Sequence, residues 1–283
     1  MRSLHSSAAT SHMIVDGKAI AKDLLAQVRE EVDALGRTPV VRAIVVAPSA
    51  ATESYLRIKE RAAGDAGMHL ELVRLDDGTT EEVMHAVALP GADAVIVQLP
   101  LSAAIDTTSV LDAIPVEFDA DMLSTAARTG FERGDVGALL PPVVGAIAEI
   151  LARTNTDPEG KRVVIIGQGW LVGEPASVWF RQIGAEVTTM TRHNLDLGLL
   201  KEADIVVLGA GSPGLVKPEH LKEGVVLIDA GTSESDGAIV GDADPACAEK
   251  ASVFTPVPGG VGPMAVACLF KNVALLVGQG SRR

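Results

Sequence analysis

The run Gly167-Gln168-Gly169-Trp170-Leu171-Val172-Gly173 sets glycines in a GxGxxxG spacing, directly after the apolar stretch Arg162 to Ile166 and before a helical stretch from Glu174 to Gln182. Glycine suits such a strand-turn-helix unit at three points: the tight turn, the close approach of backbone to a pyrophosphate, and the packing of helix on strand. The first N–H groups of the helix lack partners within it and are donors for phosphate oxygens. Gly167, Gln168, Gly169, Val172 and Gly173 are therefore expected to bind a dinucleotide, whose chemistry is hydride transfer. A plain turn would show the same glycines, but the three strands that follow favour the cofactor.

In a domain specific for NAD, the end of the next strand usually carries an acid that accepts from the ribose 2′-hydroxyl. Here that stretch reads Met190-Thr191-Arg192-His193-Asn194, with no acid. Arg192 suits a 2′-phosphate through charge-assisted bonds, so NADP is favoured, with NAD as the alternative. A solvated arginine is the plainer reading. Ala210 and Gly211 end a later strand, where doubly wound sheets hold their ligands, and are candidate cofactor contacts unless they form a simple turn.

A second kind of chemistry is carried by Tyr55-Leu56-Arg57-Ile58-Lys59, which puts a phenol ring and an amine on one helical face, one turn apart. The ring can stack on a flat ligand, and the amine can exchange protons. For Lys59 to act near neutrality its pKa must fall, which desolvation accomplishes. Taken alone, Lys59 reads first as a snorkelling surface lysine and Gln98 as a capped strand end.

The elements that must position these groups alternate. Helices are expected near Lys18 to Leu35, Glu53 to Ala66, Glu81 to Val87, Thr108 to Ala113 and Val144 to Arg153. Strands are expected at Val40 to Val46, His69 to Leu75 and Ala94 to Val97, and again at Arg162 to Ile166, Glu186 to Met190, Ile205 to Leu208 and Val225 to Ile228. Such alternation implies right-handed crossovers and parallel sheets, an α/β fold. Phe118 to Gly137 reads as irregular, and "TNTDPEG" as the polar turn near a domain boundary. A final apolar helix, Met264 to Val277, is expected to pack back onto the first domain.

A chain of 283 residues is long enough for two domains with their own cores. A net charge of −13 argues against extended nucleic-acid binding or docking on an anionic membrane. No apolar run approaches the roughly 18 residues of a membrane span. Cys247 and Cys268 lack metal-ligand spacing and read as buried free thiols, which suits a reducing cytoplasm, and no metal is expected. Residues 1–12 resemble a cloning extension leading to a start at Met13.

Three motifs make a wider likeness plain: Tyr55 to Lys59, Val97-Gln98-Leu99-Pro100-Leu101, and Pro256-Val257-Pro258-Gly259-Gly260-Val261-Gly262-Pro263-Met264. Together they closely resemble the methylenetetrahydrofolate dehydrogenase/cyclohydrolase family, from about Met13 to Val277. The resemblance implies an N-terminal α/β catalytic domain, 13–142, completed by a C-terminal helix, 264–283. It also implies a Rossmann dinucleotide-binding domain, 143–263, across a cleft, usually in a homodimer. Members oxidise 5,10-methylenetetrahydrofolate with a nicotinamide cofactor and then hydrolyse the methenyl product to 10-formyltetrahydrofolate. By the same resemblance Lys59 is catalytic, Gln98 is its hydrogen-bonded partner, and Tyr55 stacks on the pterin. Asp121, the second acid of Phe118-Asp119-Ala120-Asp121-Met122, matches the aspartate that holds the pterin in the family's K-D-V-D-G. Leu99, Pro100, Pro258, Gly259 and Gly260 line the folate site.

The chain departs from the family's pattern at Phe118 and Met122 in that motif, at Gln168 and Gly169 where the family has G-R-S, and at Ser102, Val143 and Ala265. These departures leave two other readings open. One is a dehydrogenase of the same fold with another substrate or a single activity; the other is a non-catalytic folate- or nucleotide-binding protein.

Overall fold

The structure, a computed structural model, describes residues 12–135, 139–235 and 238–280. The expected N-terminal extension, apart from His12, and the end of the irregular segment at Val136 and Gly137 lie outside the described residues. The chain begins with β1 (Met13–Ile14) and α1 (Gly17–Asp33). It then runs through β2 (Val40–Val46), α2 (Ala50–Asp65), β3 (His69–Leu75), α3 (Thr80–Val87), β4 (Ala94–Val97), α4 (Thr107–Asp112), α5 (Thr125–Arg133) and α6 (Pro142–Arg153). There follow β5 (Arg162–Ile166), α7 (Gly173–Gln182), β6 (Glu186–Met190), β7 (Ile205–Leu208), β8 (Val225–Asp229), β9 (Ser233–Ser235), β10 (Ala238–Val240), β11 (Ala251–Phe254) and α8 (Val261–Gly280).

Two compact units result. One joins Lys18–Ala146 to Pro263–Arg283; the other joins Met1–Gly17 to Ile147–Gly262. In the first, β2 lies between β3 and β4, all parallel. Its β-branched residues leave Val41, Ala43, Ile44 and Val45 without exposure, as a central strand covered on both faces requires. Ile44, Val83, Val95, Val97, Val110 and Leu111 form one apolar cluster on this sheet. Helix starts follow their caps. The Ser49 side chain accepts from Thr52 N and opens α2 at Ala50, three residues before the expected Glu53.

The segment expected to be irregular from Phe118 contains α5. Ser124 Oγ accepts from Ala127 N at 3.2 Å, and Gly134 ends the helix in the left-handed region at φ 74°. Only Ala127 and Phe131 of that helix are buried, so the apolar periodicity that marks a helix is absent from its sequence.

Helix α8 meets the length and hydropathy of a membrane span, with a mean hydropathy of 1.7. The expectation that no apolar run approaches that length is corrected here, and the cause is burial: 67 % of its apolar window is covered by the protein. Within the first unit, Asn272 Nδ2 donates to the carbonyls of Ala120 and Leu140 at 2.9 and 2.8 Å. This is a core helix.

The second unit is a parallel sheet in the order β1-β11-β8-β7-β5-β6. Its strands Val225–Asp229, Ile205–Leu208 and Arg162–Ile166 are rich in Val and Ile and buried along most of their length. Strand β1 pairs with β11, Met13 opposite Val253, so residues 13–17 join this sheet rather than the first unit. A two-residue strand carries no alternation by which sequence could assign it. Order reverses at β5, with β6 on one side and β7 on the other, which is the switch point where such sheets bind ligands.

Candidate active site

Helix α2 and the end of β4 build one half of the chemistry. Tyr55 and Lys59 share a face of α2, with the lysine Nζ 5.2 Å from the ring centroid. Gln98 follows β4, and its backbone N–H donates to Ile44 O at 2.9 Å, which continues the ladder by one residue and aims the side chain. Lys59 Nζ donates to Gln98 Oε1 at 3.1 Å. Gln98 Nε2 donates to Leu99 O at 2.8 Å, so the amide presents its oxygen to the amine. Leu99-Pro100 is cis, and Pro100 is exposed.

Lys59 is only 6 % exposed, whereas Tyr55 keeps 37 % of its surface open. Burial pulls the lysine below its ordinary value, and the charge of Asp121 opposes that pull. Burial pushes the Asp121 carboxyl up; Lys59 holds it down in part, and Asp119 adds to the rise. The Tyr55 phenol is pushed up to about 12, chiefly by desolvation and then by Asp121, and stays protonated near neutrality. Three expected site residues thus share one electrostatic neighbourhood, and Gln98 joins them by a hydrogen bond. The arrangement offers an open ring for stacking, an amine readied for proton exchange, and an acid facing them.

The loop that carries Asp121 is held by Asp119, which sequence reasoning passed over. Its carboxylate is buried and accepts from Leu123 N and Ser124 N at 3.2 and 2.8 Å. The signal for it was present as the first acid of the five-residue motif. Met122 sits in the left-handed region at φ 56°, the conformation that favours glycine, and the family's motif has glycine there.

The other half lies in the second unit. Gly167 has φ 98°, and a Cβ there would meet Gly209 C and Ala210 N at 2.5 and 2.8 Å. A Cβ at Gly173 would collide with the Gly167 carbonyl. No side chain therefore fits at either end of the loop, which leaves bare backbone there. Gly169 is open, Trp170 and Leu171 are exposed, and Val172 gives no side-chain cap to α7. Arg192, just beyond β6, is exposed, and its Nε donates to His193 Nε2 at 3.3 Å. Among the described residues no carboxylate pairs with it.

Ala210 and Gly211 follow β7 beside this loop, and their N–H groups are bound by the Asp242 carboxylate, another residue the sequence did not mark. Pro258, Gly259 and Gly260 form a turn in the same unit, closed by Gly260 N on Pro256 O at 2.7 Å; Pro258 is exposed and Gly260 buried. The structure thus gathers Tyr55, Lys59, Gln98, Leu99, Pro100 and Asp121 in one unit. Gly167, Gln168, Gly169, Val172, Gly173, Arg192, Ala210, Gly211 and Pro258–Gly260 lie in the other. Both cysteines are buried thiols outside any disulfide, as expected. Among the described residues no three His, Cys, Asp or Glu side chains cluster as metal ligands.

Both parts of the chain match known proteins. Residues 15–121 match the tetrahydrofolate dehydrogenase/cyclohydrolase catalytic domain, and residues 141–279 match the NAD(P)-binding domain of the same family. The bifunctional protein FolD of Halothermothrix orenii is 36 % identical over 92 % of this chain and 95 % of its own length. That of Staphylococcus carnosus is 37 % identical over 93 % of this chain and 95 % of its own. A crystal structure of the Trypanosoma brucei methylenetetrahydrofolate dehydrogenase-cyclohydrolase, complexed with NADP and an inhibitor, superposes with a TM-score of 0.91 at 31 % identity. It covers 96 % of this chain and 99 % of that one. With both domain models matched and relatives aligned nearly end to end, the chain belongs to the tetrahydrofolate dehydrogenase/cyclohydrolase family.

Proposed function

We propose that this protein oxidises 5,10-methylenetetrahydrofolate with NADP and hydrolyses the resulting methenyl compound to 10-formyltetrahydrofolate. The observation that carries the reading is the Lys59 amine, buried beside Tyr55, bonded to Gln98 and opposed by Asp121. Family membership supplies the substrate class.

The residues present fit the cofactor. The glycine walls of the Gly167 loop admit a pyrophosphate. Glu174 N and Ala176 N are already bonded to Gly169 O and Val172 O and residue 175 is proline, so Gly173 N is the donor that the start of α7 offers. Arg192, with no acid partner among the described residues, suits a 2′-phosphate. The nicotinamide, when bound, accepts the hydride. Tyr55 stacks on the pterin, Asp121 accepts from its N–H groups, and together they hold the one-carbon bridge in place. In the hydrolytic step Lys59 Nζ takes a proton from the water that attacks the methenyl carbon. Gln98 orients that amine and gives it no counter-charge. Leu99 and Pro100, with Pro258, Gly259 and Gly260, are assigned to the folate-binding walls, and Ala210 and Gly211 to the cofactor.

Purified protein supplied with methylenetetrahydrofolate should reduce NADP in preference to NAD, followed at the nicotinamide absorbance. Lys59→Met should abolish hydrolysis of the methenyl compound; hydrolysis at the unaltered rate would overturn the role of Lys59. On the family resemblance we assign the protein to a homodimer in the cytoplasm, which sedimentation of the purified chain and fractionation of cells test.

A further inference from the structure

Asp242 follows β10 and has no exposed surface. Its Oδ2 accepts from Ala210 N and Gly211 N at 2.7 and 3.1 Å, and its Oδ1 from Ser212 N at 2.6 Å. Three consecutive backbone donors thus close on one carboxylate. Room for it exists because position 231 is glycine, where any Cβ would press on the Asp242 carboxylate. Asp229 braces the same region from behind, accepting from Gly231 N and Ala243 N at 2.9 and 2.8 Å. The loop held in this way leaves the end of β7 beside Gly167, at the point where strand order reverses.

We propose that Asp242 is a positioning residue for the dinucleotide: it fixes Ala210, Gly211 and Ser212 in their ligand-receiving shape before the ligand arrives. The proposal rests on the dinucleotide reading above. Charge-assisted bonds to three amides are stronger than neutral ones, and a loop already ordered does not have to be ordered on binding. The same bonds occupy the N–H groups that a phosphate would otherwise seek. Phosphates are thereby directed to the start of α7, and the loop after β7 is left to the uncharged parts of the ligand.

Asp242→Asn replaces one accepting oxygen with an NH2 group that opposes the loop's donors. It should raise KM for NADP by about tenfold, with kcat changed less than about twofold once rates are normalised to folded protein. Gly231→Ala should raise the same KM by displacing the carboxylate without removing its charge. A KM unchanged in both variants, or a loss confined to kcat and folded yield, overturns the proposal. Should neither variant fold, amide hydrogen exchange in the unaltered protein decides it. Exchange at residues 210–212 must already be slow without NADP, because Asp242 holds those amides, and fast exchange there in the unliganded protein overturns the proposal. Failure of the dinucleotide reading looks different, as absence of NADP reduction by the unaltered protein, and takes the proposal with it.

Discussion

The Lys59 amine meets the Gln98 amide oxygen at 3.1 Å, and the other end of that amide is tied to the Leu99 carbonyl. The lysine is therefore desolvated against a neutral acceptor, and the charge of Asp121 opposes the fall in its pKa. Hydrolysis should rise with pH through an inflection below the ordinary lysine value of 10.5, as the amine loses its proton. Gln98→Glu places a carboxylate against the amine and holds the proton on it. That variant should hydrolyse more slowly near neutrality and show its inflection at higher pH. Rate profiles from about pH 6 to 9.5 check this, and an inflection that stays in place or moves down would sink the argument.

On the proposed dinucleotide site, Arg192 and Glu174 should act with opposite sign on the ligand. Arg192 is exposed and free of any acid partner among the described residues, so its charge is available to a 2′-phosphate. Arg192→Ala should raise KM for NADP by about tenfold and leave KM for NAD within about twofold, because only NADP carries that phosphate. Equal effects on both cofactors would show that Arg192 does not read the 2′ position.

Glu174 stands in the first turn of α7, next to Gly173 N and the glycine loop proposed to receive the pyrophosphate. An acid there is favourable to the empty helix and unfavourable to an arriving anion. Glu174→Gln should therefore lower KM for NADP and NAD alike, by about two- to fivefold from the usual size of such terms. The effect should shrink in high salt. A higher KM would mean that Glu174 contacts the ligand directly.

Sequence located the strands well, because runs such as Val40–Val46 and Arg162–Ile166 are apolar and β-branched and are bounded by turn residues. It lost α5, where Thr125-Ala126-Ala127-Arg128-Thr129-Gly130 shows no apolar stripe, and β1, which exists only because β11 lies beside it. The same split holds at the site. Tyr55 and Lys59 are legible because one helix turn separates them. Gln98 is 39 residues from Lys59, and only the parallel pairing of β2 with β4 places it on the lysine. Asp242 is invisible in sequence, since its significance lies in amides 30 to 32 residues away.

Met122 shows how a change in sequence is absorbed. A non-glycine residue in the left-handed region costs about 1–2 kcal/mol, yet this side chain is almost wholly buried, at 2 % exposure. Truncating a buried methionine costs about 2–5 kcal/mol. Met122→Gly therefore relieves the backbone but loses more packing, and should lower stability by about 1–3 kcal/mol. Because the backbone path of Asp121 is retained, KM for the folate substrate should stay within about twofold. Urea unfolding and folate kinetics test the two halves; a stability gain would mean that strain outweighs packing at this turn.

Asp229 gives the sheet a pH dependence opposite to that of an exposed ion pair. Desolvation raises its carboxyl from 3.8 to about 6, with the Asp242 charge adding to the rise and three backbone donors opposing it. A raised acid binds its proton more tightly in the folded state, so its contribution is complete below 3.8 and is lost as pH climbs through about 6. The loss amounts to about 3 kcal/mol at most, from roughly two pH units at 1.36 kcal/mol each. Acids with lowered values, such as Asp93 and Asp204, lose stability in the other direction, as pH falls, and mask this trend in the protein as a whole. Comparison with Asp229→Asn removes the mask, since both proteins share those groups. The stability of the unaltered protein relative to the variant should decline between about pH 4 and 7. A difference that is flat across that range would show that Asp229 is already ionised when buried, and that its backbone donors outweigh desolvation.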